Sequence, residues 1–238
     1  MAENSVAAEK KEIWKMFDTL SSSYDMMNRV MTGGLDIIWR SRAANFIPKD
    51  VSVRLLDVAT GTGDQLIAAC KKRPAIVKAI GIDMAQEMLN IGEKKREKLL
   101  FKEKIHFQRA SALDLPFAAG VFDAITLSFG VRNVTSVEKC CLEMARVLKK
   151  GGVAIILETS KPKNFILAAG HRFYMRQVMP KIGSLFTKKG DSYRYLSQSS
   201  EAFPCGEKFC TLMRENGFKE VKAYPQFGGA VTIYVGTT

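Results

Sequence analysis

Histidine is nearly absent from this chain, acidic residues are outnumbered, and paired cysteines are missing. The 238 residues hold two histidines, His106 and His171, far apart in sequence, and five cysteines with no CxxC spacing. A zinc site needs grouped His and Cys ligands, so none is expected. An odd cysteine count with no framework points to reduced thiols. Pro204-Cys205 has the look of a Pro-Cys nucleophile, but it stands before a C-terminal helix, which is the wrong context. No apolar run approaches the roughly 20 residues that span a bilayer. Charges interrupt MAENSVAAEKKEIWKM, so no signal peptide is expected there. Prolines number seven, and there is no repeat and no Ser/Gly linker to divide the chain.

What remains is a globular composition, 47% hydrophobic and 25% charged. Lys plus Arg is 36 against 24 Asp plus Glu, a net charge of +12. That surplus attracts nucleic acid, anionic lipid or phosphorylated substrates, and charge alone does not choose among them.

Between residues 53 and 158, short apolar runs alternate with amphipathic stretches. The runs are Val53–Val58, Val77–Ile82, Ile105–Gln108, Val121–Leu127 and Val153–Glu158. Runs of Val, Ile and Leu bounded by turn residues are what strands buried on both faces look like. Asp64–Lys72, Ala85–Leu100 and Ser136–Lys149 carry apolar residues at helical spacing, the last closed by Lys149-Lys150-Gly151-Gly152. The alternation predicts an α/β fold with a parallel, doubly wound, Rossmann-like sheet. Residues 9–47 read as a helical cap over one sheet edge. Residues 161–190 interleave Lys161, Lys163, Arg172, Arg176, Lys181, Lys188 and Lys189 with Phe, Leu, Ile and Met and carry no acid. A helix over Glu201–Asn216 and a hairpin, Lys219–Tyr224 with Ala230–Val235, complete the chain.

The first strand runs into LDVATGTGDQL. Gly61 and Gly63 permit a tight turn where backbone approaches a ligand, ahead of a helix N-terminus. Leu66 occupies the place of a third dinucleotide glycine, and no Gly-Lys-Ser/Thr ending makes it a phosphate loop. Asp57 ends the first strand and Asp83 the second, where an acid accepts both hydroxyls of a ribose. An adenosine without a pyrophosphate loop points to S-adenosylmethionine rather than NAD. The cofactor residues expected are Asp57, Thr60, Gly61, Thr62, Gly63, Asp83, Met84, Ser111, Ala112 and Ser128. Met84 would pack on the adenine, Ser111 and Ala112 in FQRASALDLPF would read its edge, and Ser128 ends the fourth strand. LSFGVRNV follows that strand in place of a Pro-Pro-Tyr type motif, which argues against methylation of a nucleobase amino group.

The chain resembles the UbiE/MenG family of quinone C-methyltransferases, which depend on S-adenosylmethionine. The resemblance rests on FDTLSSSYDMMNRVMTGG, LDVATGTGD, LDLPFAAGVFDAITLSFGVRNV, EMARVLKKGGVAIILETSKP and YRYLSQSSEAFP. It departs from the family at Thr60, Ser111, Asp36-Ile37, Gln198 and Tyr234. The resemblance implies a seven-stranded, mostly parallel sheet with one antiparallel strand, within a single class I methyltransferase domain. It implies C-methylation of a reduced polyprenyl quinone, demethylmenaquinol or the 2-methoxy-6-polyprenyl-benzoquinol of ubiquinone synthesis. Arg132 is expected to supply a cation near the phenolate oxygen, directly or through water, with Asn133 and Tyr24 orienting the ring. The partners expected are a lipid-soluble quinol and an anionic membrane surface met by segment 161–200. They place the protein in the cytoplasm at the inner face of the membrane, with a second copy as a candidate partner. Another hydrophobic acceptor, such as a sterol-like or polyketide ring, is the alternative enzyme reading. A nucleic-acid role lacks an aromatic–basic platform, and none is expected.

Overall fold

A computed structural model of the chain describes residues 12–179, 181 and 199–238. Tyr193, Tyr195 and Gln198, and the stretch 182–190 of the basic segment, lie outside the described residues. Helices α1 (Ile13–Thr32) and α2 (Leu35–Ala44) precede β1 (Val53–Val58). Then follow α3 (Asp64–Lys72), β2 (Ile76–Asp83), α4 (Gln86–Arg96), β3 (Ile105–Arg109) and β4 (Phe122–Ser128). The chain continues through α5 (Val137–Val147), β5 (Leu148–Thr159), α6 (Phe165–Phe173), α7 (Glu207–Glu215), β6 (Val221–Gln226) and β7 (Val231–Thr237).

The strands form one seven-stranded sheet in the order β3-β2-β1-β4-β5-β7-β6. Neighbours from β3 to β5 run parallel, and β7 is antiparallel to both β5 and β6. Every residue of β1 but Arg54 is buried, as a central strand covered by helices on both faces must be. One core layer packs Leu56, Val58, Ile125, Leu127 and Ile156 against α5 and α7. The other packs Leu55, Ala79, Ala124 and Ile155 against α2 and α3. Strand order reverses between β1 and β4, and in an open α/β sheet ligands bind at the carboxyl ends beside that reversal.

Three expectations are corrected. Lys149 to Gly152 do not close a helix. The helix stops at Val147 and β5 starts at Leu148, with a register shift that sets Phe122 opposite Leu148 and Ala124 opposite Val153. Lys149 Nζ pairs with Asp123 Oδ1 at 2.6 Å across that bulge. The helix expected over 201–216 is broken: Pro204 has no N–H to donate, Gly206 takes φ +70°, and α7 starts only at Glu207. The cap does not sit over a sheet edge. Helix α1 lies across α4, with Glu87 N donating to Asp18 Oδ1 at 2.9 Å, above the carboxyl ends of the strands.

Candidate functional site

Two turns shape the floor of the site. After β1, Ala59 takes φ +51°, and after β4, Phe129 takes φ +57°, left-handed values that cost a non-glycine residue energy. They flank the sheet reversal, and a cavity of about 240 Å³ opens above them. Its apolar wall includes Trp14 and Phe17 of α1 and Met84 and Met88 beside α4. A second cavity of about 30 Å³ adjoins it, since Tyr24, Ala59, Gly61 and Ser128 line both.

Asp83 lines the larger cavity, its Oδ2 accepting from Gly61 N and its Oδ1 from Ala85 N, each at 2.9 Å. Burial raises its pKa, against the pull of those backbone donors. A carboxylate offers about four acceptor positions, so capacity remains for two ribose hydroxyls. Met84, Ser111, Ala112 and Ser128 line the same cavity. Ser111 Oγ accepts from Leu113 N at 3.1 Å, and Ser128 Oγ donates to Gln65 Oε1 at 3.1 Å.

Asp57, Thr60 and Thr62 line the smaller cavity. Thr126 Oγ1 donates to Asp57 Oδ1 at 2.5 Å and Thr60 Oγ1 to Asp57 Oδ2 at 2.6 Å. Burial nevertheless pushes the Asp57 carboxyl up to about 6. Thr62 Oγ1 donates to Asp25 Oδ1 of α1 and accepts from Lys95 Nζ of α4. Lys95 also pairs with Asp25 and Asp64, and Arg29 with Asp36 and Asp64, so charges fasten α1 across the glycine turn. Burial raises the Asp64 pKa, but Lys95, Arg40 and Arg29 outweigh it and hold the carboxyl below its ordinary value.

Gly63 departs from its expected role: it lines neither cavity. At φ +80°, a Cβ there would lie 2.6 Å from the Phe107 ring. Packing against Phe107 requires a glycine there.

Of the residues expected to act on the ring, Tyr24 lines both cavities and Asn133 the larger. Tyr24 packs edge-on to Phe17 at 5.8 Å. Arg132 lines neither. Its guanidinium pairs with Glu158, fully buried near the end of β5, whose Oε1 also accepts from Thr159 N at 2.7 Å. Arg132 Nε and Glu158 Oε2 are buried without a hydrogen-bond partner. Two family departures find structural reasons. Asp36 is buried between Arg29 and Arg40, and Tyr234 packs on Phe209 while its hydroxyl accepts from Gly206 N at 2.7 Å.

Reading the sequence missed Trp14, Phe17 and Met88, although Ile13, Trp14, Phe17, Leu20 and Tyr24 recur at helical spacing. It also missed Arg40, Lys95 and Glu158, whose meaning depends on partners far along the chain. The five cysteines are unpaired, and no metal-binding group of His, Cys, Asp and Glu occurs among the described residues.

A doubly wound sheet with an acid at the end of β2, a glycine turn after β1 and a cavity beside them has the form of the class I methyltransferases, whose cofactor is S-adenosylmethionine. The chain matches the ubiE/COQ5 methyltransferase family over residues 4–238 and belongs to that family. It is 39% identical to the ubiquinone/menaquinone biosynthesis C-methyltransferase UbiE of Geotalea uraniireducens, covering 95% of this chain and 96% of that one. It is 35% identical to the demethylmenaquinone methyltransferase of Porphyromonas gingivalis, covering 96% and 93%. Among solved structures, a SAM-dependent methyltransferase of Thermotoga maritima superposes with TM-score 0.65 at 19% identity, over 94% and 98% of the two chains. The [4+2]-cyclase SpnF superposes at 0.64 with 15% identity, over 96% of each. The fold alone therefore does not specify the reaction.

Proposed function

We propose that the chain methylates a ring carbon of a reduced, polyprenylated quinone, demethylmenaquinol in the first place, in the cytoplasm at an anionic membrane surface. The observation that carries the reading is the larger cavity. Aromatic and Met side chains of α1 and α4 wall it, and Tyr24 and Asn133 stand beside the glycine turn. The names of the relatives support a quinone ring: demethylmenaquinone for Porphyromonas gingivalis and Bacteroides fragilis, ubiquinone/menaquinone for the Geotalea protein. The methoxy-benzoquinol of ubiquinone synthesis is the second reading.

S-adenosylmethionine supplies an electrophilic methyl group when bound; the chain's own task is to hold the ring and make its carbon nucleophilic. Asp57, Thr60, Gly61, Thr62, Asp83, Met84, Ser111, Ala112 and Ser128 hold the cofactor in this reading. Tyr24 and Asn133 fix the ring, and positioning of this kind supplies several kcal/mol, up to roughly 7–11 in ideal cases. Removing the phenol proton puts negative charge on the neighbouring carbon, and a cation near the oxygen favours that form. Arg132 does not line the cavity, so in this reading it acts through a bound water, with Nε as the donor left over from its pair with Glu158. Arg remains protonated and is no general base.

Helix α6 supports the membrane part. Phe165, Ile166, Leu167 and Phe173 are exposed on it, Phe165 to 80%, with Lys163 and Arg172 beside them. Met175 and Met179 turn the other way and pack on Met27 of α1. Tyr174 Oη donates to Met31 O at 2.5 Å, joining this segment to the helix over the site. Among the described residues no helix is long and apolar enough to cross a membrane.

The test gives the protein methyl-labelled S-adenosylmethionine with reduced demethylmenaquinone or with the methoxy-benzoquinol. Label in the naphthoquinol of the lipid extract supports the reading. Label only in the benzoquinol reassigns the ring, and label in neither sinks the quinone substrate.

A further inference from the structure

We infer that Arg40 receives the α-carboxylate of the methionine end of the cofactor, an inference that rests on S-adenosylmethionine being bound between the two cavities. The small cavity adjoins the large one at Gly61, and its roughly 30 Å³ admits a small polar head and no second ring. Arg40 is the one basic side chain among the described residues that line it, beside Asp57 and Ser128.

Arg40 is 7% exposed, and a buried guanidinium without an anion in close contact is costly. The nearest acid, Asp36, leaves its Oδ2 3.8 Å from Arg40 Nε, outside hydrogen-bond reach, while Asp36 pairs closely with Arg29. Arg40 Nε is buried with no hydrogen-bond partner. The side chain is nonetheless held. Its guanidinium lies 5.4 Å from the centre of the Phe129 ring. A fixed, buried guanidinium on the wall of a polar cavity suits a carboxylate, the anion whose geometry it matches. The amino group of the same methionine finds acid in that cavity in Asp57, so both ends of the zwitterion are met.

The test compares three probes with S-adenosylmethionine itself by calorimetry on the full chain: S-adenosylhomocysteine, decarboxylated S-adenosylmethionine, and 5′-methylthioadenosine, which lacks the whole amino-acid end. On wild type, removing only the carboxylate should weaken binding roughly 10- to 100-fold, the value of a charge-assisted hydrogen bond. Arg40→Met should weaken S-adenosylhomocysteine by the same factor and leave 5′-methylthioadenosine unchanged, while Arg40→Lys falls between. Wild type that binds the decarboxylated cofactor as tightly as S-adenosylmethionine overturns the inference without any variant. So does an Arg40→Met protein that weakens S-adenosylhomocysteine and 5′-methylthioadenosine equally, which marks a structural arginine. Wild type that binds none of the three overturns the cofactor reading itself, and Arg40 with it.

Discussion

Arg132, in the turn after β4, pairs with Glu158 near the end of β5, and neither side chain lines the larger cavity. Removing one partner of a buried ion pair leaves the other charge unsolvated, at about 3–5 kcal/mol. Glu158→Gln and Arg132→Ala should each lose that much in urea unfolding. Arg132→Met with Glu158→Leu should lose much less than the sum, because no charge is stranded. If Arg132 also acts on the quinol, Arg132→Ala lowers kcat at least tenfold while S-adenosylhomocysteine affinity stays at the wild-type value. Equal losses in turnover and cofactor affinity would refute that role.

Gly61 and Gly63 both sit at positive φ, +55° and +80°, yet their alanine variants should fail differently. A methyl group at position 63 meets the Phe107 ring, adding overpacking of about 1–3 kcal/mol to a left-handed penalty of about 1–2. Gly63→Ala should therefore lose roughly 2–5 kcal/mol of stability. Nothing lies within 4 Å of a methyl group at 61, but that residue lines both cavities. Gly61→Ala should lose only the left-handed penalty of about 1–2 kcal/mol and lose S-adenosylhomocysteine affinity more than tenfold. Denaturation midpoints set beside calorimetry decide the matter, and the reverse ranking would contradict it.

The half-sheet β1–α3–β2 was legible because fully buried parallel strands appear as unbroken apolar runs, and the glycine turn and two terminal acids punctuate them. Asp57 and Asp83 could be placed from spacing alone. The start of β5 could not, because Lys149-Lys150-Gly151-Gly152 has the composition of a helix stop. Only the pairing of Leu148 with Phe122 and of Lys149 with Asp123 turns it into a bulged strand. Arg132 was visible as a residue but not in its setting: Glu158 lies 26 positions on and meets it because β4 and β5 are neighbours. Arg40, Lys95 and Arg29 look like solvated helix cations in one dimension. Arg40 is buried beside Asp36, and the half-buried Arg29 and Lys95 pair with Asp36, Asp25 and Asp64, because of how α1 and α2 cross the site.

Asp57 makes a pH dependence. Its folded pKa of about 6 lies above the ordinary 3.8, raised first by burial. A carboxyl raised on folding stabilises the fold when protonated, so that contribution is complete below about pH 4 and is lost as pH rises through about 6. Between pH 7.5 and 4.5, wild type should gain about 2 kcal/mol of unfolding free energy relative to Asp57→Asn, at 1.36 kcal/mol per pKa unit. Asp64, held below its ordinary value, loses its contribution only at lower pH and does not disturb this window. Parallel pH curves for the two proteins would mean that Asp57 is not the group responsible.

Helix α6 offers the last test. Phe165, Ile166 and Phe173 stay exposed although a few residues later Met175 and Met179 find a core. Exposed aromatics beside basic residues have the makings of an interfacial anchor, in which apolar burial and charge contribute separately. Arg176 is committed to Glu201 at 2.9 Å, and among the described residues Lys163 and Arg172 are exposed cations beside the apolar face. Lys163→Gln with Arg172→Gln should therefore weaken sedimentation with phosphatidylglycerol vesicles by roughly 5-fold per residue, at about 1 kcal/mol each. Binding to neutral vesicles should not change. Replacing Phe165, Ile166 and Phe173 with Ser should abolish binding to both, and salt at about 0.5 M should mimic only the Gln pair. Vesicle binding that ignores the Ser variant and responds to salt alone would make α6 irrelevant, and the surplus of +12 would then act as a diffuse charge.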